Sequence, residues 1–266
     1  MRDLNSIQCY LLDMDGTFYL GNELIDGAMD FVKTLEKQGK EYLFLTNNSS
    51  KNRYAYQEKL AKLGCEVVPD RVFTSGEATT IYLEDLRPNA KVFLLGTPFL
   101  EEEFEKAGFD LIHSREEKPD YIVLGFDTTI TYEKLWMACD FIREGIPYIA
   151  THPDYNCPLE GGKFMPDSGA IIDFIAASTG VRPHIVGKPN KDIIDAICKK
   201  YGYKKEEIAM VGDRLYTDIR TGMNANITTI LVLSGETNME DYKVSDVTAN
   251  YIFPSLKELG EELNIG

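Results

Sequence analysis

Apolar positions recur along this chain with two periods, one typical of buried strands and the other of amphipathic helices. The short apolar runs at residues 8–12 (QCYLL) and 42–46 (YLFLT) predict buried strands. Between them, residues 27–38 predict a helix, and Gly39 follows as a stop signal. The apolar face of that helix comprises Ala28, Phe31, Val32 and Leu35. With a second helix over about residues 51–63, this order predicts parallel strands joined by crossover helices.

The same succession returns near the end of the chain. Residues 185–188 (IVGK), 208–213 (IAMVGD) and 228–233 (TTILVL) predict three further strands. A helix is predicted over residues 190–201, and its apolar face comprises Ile193, Ile194, Ile197, Cys198 and Tyr201. The two ends of the chain are therefore predicted to belong to one domain.

A self-contained stretch of alternating strands and helices lies between these two parts. Its predicted strands are near residues 91–95, 121–125 and 147–150, and its predicted helices are near residues 98–107, 131–144 and 167–179. We therefore predict an α/β fold with a doubly wound parallel sheet, built from residues 1–82 and 181–266. A smaller α/β domain over residues 83–180 is inserted into it, and two short hinges join the two domains.

The composition is that of a globular protein. The chain has 266 residues, 44% of them hydrophobic, which suffices for a large core. No apolar run approaches the roughly 18 residues of a membrane-spanning helix. The N-terminal MRDLNSIQ lacks the basic and apolar regions of a signal peptide. Because the five cysteines are scattered and form no CxxC pair, we expect reduced thiols and a cytoplasmic protein.

The net charge restricts the classes of partner. The chain carries 43 acidic and 28 basic residues, a formal charge of −15, and the acidic residues are spread along it. Such a surface repels the backbone of nucleic acids and anionic membranes, so we expect neither as a partner. An anionic substrate would have to be attracted locally, by a metal ion or a few basic groups.

Polar residues follow four of the predicted strands. In open parallel sheets, ligands bind beyond the carboxyl ends of the strands, so these residues are expected to converge. They are Asp13 and Asp15 after the first strand, Thr46 and Asn47 after the second, Lys188 after the third, and Asp213 with Asp218 after the fourth.

The acidic residues among them predict a cation site. Asp13 and Asp15 are two positions apart, which places both side chains on one face of a continuing strand, and Gly16 permits a sharp turn after them. Grouped carboxylates are unfavourable unless a cation compensates them. Carboxylate and carbonyl oxygens suit Mg²⁺, which also binds phosphate oxygens.

The remaining strand-end residues predict an anion site of phosphate size. Thr46 offers a hydroxyl, and Asn47 offers an amide and a backbone N–H. Asn48 and the two serines after it are expected to open a helix, whose free N–H groups favour a phosphate. Lys188 adds a positive charge. Each segment alone is more often a turn or a helix cap, and the prediction rests on their joint order.

This joint pattern resembles the haloacid dehalogenase-like (HAD) phosphatase superfamily. DMDGT (13–17), the Thr of LTNNSS, the Lys of VGKP and GDRLYTD (212–218) match its four motifs in order. The insertion resembles a C2-type cap, and TNNSS, ATHPDYNCP, VGKPN and ILVLSGET resemble the NagD-like, 4-nitrophenylphosphatase-like subfamily. One position departs from that pattern, since His152 stands where Asn is expected in an Asn-Pro-Asp loop.

The resemblance implies a fold and residue roles. It implies a Rossmann-like core, with Asp13 as a nucleophile that forms an aspartyl-phosphate and Asp15 as the general acid and base. Mg²⁺ would be held by Asp13, the main-chain carbonyl of Asp15 and Asp213, with Asp218 as more distant support. The phosphoryl group would be held by Thr46, Asn47, Asn48 and Lys188.

The loop at residues 151–158 (THPDYNCP) of the inserted domain is the expected place of substrate selection. His152, Asp154 and Tyr155 could contact the leaving group, while a structural turn with a capping Asp is the alternative. The three histidines of the chain show no metal-ligand spacing, so we predict no zinc site.

The sequence thus predicts a Mg²⁺-dependent phosphatase of a small phosphorylated metabolite, such as a sugar phosphate, nucleotide, polyol phosphate or aryl phosphate. A phosphomutase would use the same Asp13 but return the phosphoryl group to its substrate. A phosphorylatable regulatory module and a ligand-binding protein without turnover are alternatives from another class. The physiological substrate and homo-oligomerisation stay open at this level.

Overall fold

The computed structural model describes residues 3–265, so the outer limits of the predicted domains, residues 1 and 266, lie outside it. The strands are β1 Cys9–Leu12, β2 Tyr19–Leu20, β3 Glu23–Leu24, β4 Glu41–Thr46, β5 Val72–Thr74, β6 Lys91–Leu95, β7 Asp110–Leu111, β8 Tyr121–Leu124, β9 Tyr148–Ala150, β10 Asn156–Leu159, β11 Lys163–Pro166, β12 His184–Ile185, β13 Ile208–Gly212, β14 Thr228–Val232 and β15 Tyr251–Phe253. The helices are α1 Ala28–Lys37, α2 Arg53–Lys62, α3 Ser75–Leu86, α4 Pro98–Lys106, α5 Tyr132–Arg143, α6 Ser168–Thr179, α7 Asp192–Tyr201, α8 Arg220–Ala225, α9 Met239–Val244 and α10 Leu256–Ile265.

The described chain divides into two compact units. The first unit comprises the chain up to Thr46, Arg53–Phe73 and the chain from Lys188 onward. The second unit comprises Asn47–Asn52 and Thr74–Gly187. The predicted domain limits at residues 83 and 180 stay a prediction, because the two units are distinguished by their internal contacts and not by the position of hinges.

The large sheet positions the site in the first unit. Its strand order is β15-β14-β13-β1-β4-β5, and β1 runs parallel to both of its neighbours, β13 and β4. Every residue of β1 is buried, as expected for a strand covered on both faces. The carboxyl ends of β4, β1 and β13 therefore lie side by side at one edge, which confirms the doubly wound α/β prediction.

Helix α1 shows why the periodicity predicted its position. Ala28, Phe31, Val32 and Leu35 are buried, as the sequence indicated, and they belong to the core that also contains β1 and β4 side chains. Tyr10 of β1 packs edge-to-face on Phe31 at a centroid distance of 5.8 Å. An amphipathic helix of this kind is stabilised mainly by the apolar face that it buries.

The second unit contains its own parallel sheet, of order β12-β9-β8-β6-β7. The predicted strands and helices of the inserted region correspond to β6, β8, β9, α4, α5 and α6, within one or two residues at most of their bounds. The antiparallel pair β10–β11 and helix α3 were not predicted. The pair β10–β11 is exposed over most of its length, so it lacks the apolar pattern that identifies a buried strand.

One predicted strand differs in length and in partner. The strand predicted over residues 185–188 is only His184–Ile185, and it pairs with β9 in the second unit. The prediction that Lys188 ends a strand of the large sheet is therefore wrong. Gly187 still donates its N–H to Thr151, but Pro189 has no N–H with which a ladder could continue.

Within residues 3–265, none of the helices combines the length and hydropathy that crossing a membrane requires.

Candidate active site

A tight turn after β1 presents Asp13 and Asp15 in the first unit. Met14 between them is buried in the core, whereas Asp13 and Asp15 are both partly exposed. Gly16 has φ +87° and donates its N–H to the carbonyl of Tyr19 at 2.8 Å. A Cβ on Gly16 would come within 2.4 Å of Asp213 Oδ2, so glycine is required both for the backbone and for the neighbouring carboxylate.

Lys188 is the buried cation of this site. Its Nζ lies 2.6 Å from Asp13 Oδ1 and 2.6 Å from Asp218 Oδ1, and the residue is only 3% exposed. Burial lowers the pKa of Lys188, but the carboxylates of Asp13 and Asp218 raise it more, so the net shift is upward. The ammonium is therefore charged across the physiological range.

Three carboxylates gather around that ammonium. In the described residues, one group of acidic, cysteine or histidine side chains has the spacing of a metal site, and it consists of Asp13, Asp213 and Asp218, with one oxygen of each within 4.8 Å of the others. Lys188 offsets one of the three negative charges and the nearby Arg214 guanidinium a second, which leaves an excess of negative charge for a bound cation. A donor set made only of carboxylate oxygens fits a hard cation.

The pKa values of the two buried carboxyls reflect this crowding. Burial, followed by the charge of Asp13, raises the pKa of Asp213 to about 6. The same two causes raise the pKa of Asp218 to about 7, although Lys188 opposes the shift. Desolvation outweighs the ion pair at Asp218 because its side chain is fully buried.

Asp15 is half-buried beside this cluster. Burial raises the pKa of its carboxyl, the Lys59 ammonium opposes that shift, and the Asp13 carboxylate adds to it. The net direction is upward, which favours a proton on Asp15 more than in a free aspartate. A carboxyl that alternates between acid and base benefits from such a shift.

Asp213 is held by groups that the sequence interpretation did not single out. Thr17 Oγ1 donates to Asp213 Oδ1 at 3.2 Å, and the backbone N–H of Glu236 donates to Asp213 Oδ2 at 2.7 Å. Ser234 Oγ donates to the carbonyl of Gly16 at 2.9 Å. The signal was present, because Ser234–Glu236 follow β14, a further strand that ends at this edge of the sheet.

Arg214 is a second cation that was not singled out. It follows Asp213 directly, and its backbone N–H donates to Asp218 Oδ2 at 3.1 Å. Burial lowers the pKa of Arg214, but Asp13 and Asp213 raise it more, so the guanidinium stays charged. Its Nε lies 3.1 Å from Glu236 Oε2. Position alone could have indicated Arg214, since it adjoins a predicted site residue.

The residues predicted to hold the phosphoryl group lie in both units. Thr46 is the buried last residue of β4, in the first unit with Lys188. Asn47 and Asn48 belong to the second unit. The buried Asn47 donates from Nδ2 to Asp154 Oδ2 at 3.1 Å, and Asn48 Oδ1 accepts from the backbone N–H of the second residue after it at 2.9 Å.

The three residues predicted to select the substrate also lie in the second unit. His152 is fully buried, and its two ring nitrogens lie 2.8 Å from Thr151 Oγ1 and 2.9 Å from Asp167 Oδ1. Asp154 is half-buried and accepts from Asn47, whereas Tyr155 is exposed and donates its hydroxyl to the carboxylate of Asp173. Contact of these residues with a leaving group stays a prediction.

Two family models match the chain. Residues 10–110 match haloacid dehalogenase-like hydrolases, and residues 185–259 match a second model described as HAD-hydrolase-like. The first match includes Asp13, Asp15 and Thr46, and the second includes Lys188 and Asp213.

Named relatives match over almost the whole length of the chain. An acid sugar phosphatase of Staphylococcus aureus is 39% identical over 260 residues, 98% of this chain and 99% of the relative. The crystal structure of a 4-nitrophenylphosphatase from Thermotoga maritima is 47% identical, with a TM-score of 0.91 over 97% of this chain and 98% of that one. A solved structure that bears the name nagD protein is 45% identical, with a TM-score of 0.91 over 98% and 100% of the two chains.

Proposed function

The chain belongs to the haloacid dehalogenase-like hydrolases, in the NagD-like and 4-nitrophenylphosphatase-like subfamily, and we propose that it hydrolyses small phosphomonoesters with Mg²⁺ through an aspartyl-phosphate on Asp13. It is an enzyme, a phosphomonoester hydrolase. The observation that supports the proposed mechanism is the buried group of Asp13, Asp213 and Asp218 around Lys188.

The carboxylate oxygens of Asp13, Asp213 and Asp218 would hold the Mg²⁺, with the main-chain carbonyl of Asp15 as a further ligand. When bound, the ion would supply positive charge to the phosphoryl oxygens. The all-carboxylate donor set and the uncompensated negative charge support this assignment. The sequence predicted that Asp218 supports the ion from a greater distance. The spacing of its oxygen from those of Asp13 and Asp213 supports a direct contact instead.

Asp13 and Asp15 would divide the chemistry between them. A carboxylate oxygen of Asp13 attacks phosphorus, the bond to the leaving oxygen breaks, and Asp15 gives that oxygen its proton. Asp15 then accepts a proton from water, whose oxygen attacks the aspartyl-phosphate and releases inorganic phosphate. Covalent catalysis divides a very slow hydrolysis into two easier displacements. The upward pKa shift of Asp15 supports its part as proton donor.

Thr46, Asn47, Asn48 and Lys188 would bind the transferring group. Lys188 supports this best, because a buried and charged ammonium beside Asp13 can neutralise phosphoryl oxygens during transfer. We propose sugar phosphates and aryl phosphates as the first compounds to consider, since similar proteins carry the names acid sugar phosphatase and 4-nitrophenylphosphatase.

The proposal is tested by measuring phosphate release from a panel of phosphomonoesters, with and without Mg²⁺. Asp13→Asn removes the attacking oxygen charge, and we expect kcat/KM to fall by roughly 10³-fold or more. Asp30→Asn is the matched control, because its side chain lies on α1 and is 85% exposed. That control should retain the activity of the unchanged protein.

Three outcomes would contradict the proposal. Equal turnover in Asp13→Asn would remove Asp13 from its role. A stable phosphoprotein without phosphate release would favour a regulatory module. A bisphosphorylated compound formed from a sugar phosphate would favour a phosphomutase.

A further inference from the structure

His152 lies in a continuous buried chain of hydrogen bonds inside the second unit. Ser49 Oγ accepts from the backbone N–H of Phe126 at 2.9 Å and lies 2.9 Å from Thr151 Oγ1. Thr151 Oγ1 lies 2.8 Å from His152 Nδ1, and His152 Nε2 lies 2.9 Å from Asp167 Oδ1. All four residues are at most 3% exposed.

One arrangement of protons satisfies every link of this chain with a neutral imidazole. The N–H of Phe126 can only donate and the carboxylate of Asp167 can only accept, which sets the direction at both ends. Ser49 then donates to Thr151, Thr151 donates to Nδ1, and the Nε2–H of His152 donates to Asp167.

The Asp167 end of the chain also holds the loop that carries Asp154. The N–H of Asp167 donates to the carbonyl of Tyr155 at 2.9 Å, and the N–H of Gly169 donates to the carbonyl of Asp154 at 2.7 Å. A Cβ on Gly169 would lie 2.4 Å from the carbonyl oxygen of Pro153, so the loop lies directly against the start of α6. The backbone of Asp154 is therefore fixed by the same residues that hold His152.

Asp154 in turn orients Asn47. A carboxylate can only accept, so its contact at 3.1 Å identifies the bonded atom of Asn47 as the amide nitrogen and sets the rotation of that amide. One of the two amide protons points to Asp154, and the direction of the other is fixed by geometry. Ser49, at the other end of this series of hydrogen bonds, lies two residues from Asn47 in the sequence.

We propose that His152 and Asp167 are positioning residues that hold the Asn47 amide in the orientation needed to bind a phosphoryl group. This inference rests on the proposed phosphatase function and on the phosphoryl-binding role of Asn47. An imidazole has ring nitrogens on two edges, so it can bond Thr151 and Asp167 at once. That geometry gives a physical reason for a histidine at this position, and it makes His152 a support rather than a contact of the leaving group.

The first test compares two helix caps of the second unit in the Mg²⁺-loaded enzyme. Asp167 caps α6 and Thr131 caps α5, two helices of 12 residues each. We expect Asp167→Ala and Thr131→Ala to lower the melting temperature, because each removes a cap. Only Asp167→Ala should raise KM and the inhibition constant for inorganic phosphate, by about tenfold, the equivalent of one hydrogen bond to a charged group.

Substrates with different leaving groups distinguish a positioning role from a direct contact with the leaving group. A positioning role predicts the same loss in kcat/KM for a sugar phosphate and for 4-nitrophenyl phosphate, since both present the same phosphoryl group. Asp167→Asn keeps an accepting oxygen and should restore most of the phosphate affinity. A loss that differs between the two substrates, or equal effects of Asp167→Ala and Thr131→Ala on phosphate inhibition, would overturn the proposal.

A double-mutant cycle with Asn47→Ala gives the second test. If Asp167 acts through Asn47, Asp167→Ala should cost no further phosphate affinity once Asn47 is alanine. Independent, multiplying losses would overturn the inference, as would an unchanged phosphate affinity in Asn47→Ala. Should Asp167→Ala fail to fold, Ser49→Ala interrupts the same chain at its other end and carries the same expectation.

The two proposals fail in distinguishable ways. If the unchanged protein releases no phosphate from any substrate, the proposed function itself is wrong. If turnover is present and is lost in Asp13→Asn, but phosphate affinity is unaffected in Asp167→Ala, only the positioning role is wrong.

Discussion

Lys188 shows how one side chain can make a group of buried carboxylates tolerable. A charged side chain in a protein interior is costly unless it is paired, and removing one partner leaves the other charge uncompensated. Lys188 bonds Asp13 and Asp218, while Thr17 and the backbone of Glu236 bond Asp213. The cluster is thus partly neutralised by the protein and retains an excess negative charge for a cation.

Protons and Mg²⁺ should compete for Asp213 and Asp218. Their folded pKa values of about 6 and about 7 lie above the ordinary value of 3.8, so without metal the folded protein holds protons that the unfolded chain has released. This stabilising contribution is complete below about pH 4 and is lost as the pH rises through 6 to 7. Mg²⁺ affinity should therefore rise from pH 5 to about pH 7.5, with protons released on binding.

The measurement is the gain in melting temperature on addition of Mg²⁺, taken at both pH values. We expect a larger gain at the higher pH and little gain at either pH in Asp213→Asn. Calorimetry in two buffers of different ionisation enthalpy reports the released protons. Equal gains at the two pH values in the unchanged protein would refute the competition.

The turn after β14 shows how a short element can hold a ligand in place. Gly235 lies so close to Asp213 that a Cβ would be 2.0 Å from Asp213 Oδ2, and the next residue donates its N–H to that oxygen. A hydrogen bond connects this turn to the segment that follows β13. The carboxylate of Glu236 accepts from the hydroxyl of Tyr216 at 3.1 Å. The ends of two strands thus position one carboxylate from both sides.

Gly235→Ala should weaken Mg²⁺ binding by about tenfold or more, because Asp213 must move away from the new methyl group. The measurement is calorimetric titration of the metal-free protein with Mg²⁺, which requires no turnover. Gly260→Ala is the control, since the nearest atom to its Cβ would be 3.5 Å away, an ordinary contact. Unchanged Mg²⁺ affinity in Gly235→Ala would show that Asp213 is not held in this way.

At the scale of the whole molecule, the net charge of −15 has opposite effects on the binding of cations and of anions. The acidic surface attracts Mg²⁺ from a distance and repels a phosphate ester, so the anion depends on local charge such as Lys188. Salt screens the long-range contribution, since the Debye length falls from ~30 Å at about 0.01 M to ~8 Å at about 0.15 M ionic strength.

Raising the NaCl concentration over that range should therefore weaken Mg²⁺ binding several-fold. Binding of inorganic phosphate at saturating Mg²⁺ should weaken less, because screening also removes the repulsion by the surface. Both are measured by calorimetric titration at constant pH. A steeper loss of phosphate binding than of Mg²⁺ binding would contradict this account.

Local patterns predicted about half of the named strands and helices, and these include the central strands of both large sheets. Helix α1 and strands β1, β4, β13 and β14 lie within one or two residues of their predicted bounds, because a buried face imposes a period on its own sequence. Among the elements that were missed or misplaced are the pair β10–β11 and strand β12. The first is largely exposed and the second has only two residues, so neither carries a period that a sequence can display.

The sequence by itself indicated a phosphatase of this family, since its acids, its lysine and its asparagines stand in the order of the family motifs, although Lys188 does not end a strand of the large sheet. Only the tertiary structure decided which of them meet. Lys188 and Asp13 are 175 residues apart, and their contact depends on how distant segments pack. The same holds for His152, whose loop position predicted a substrate contact but whose buried ring bonds Asp167. Pairing between side chains that are distant in sequence is a property of the folded chain, and no local pattern encodes it.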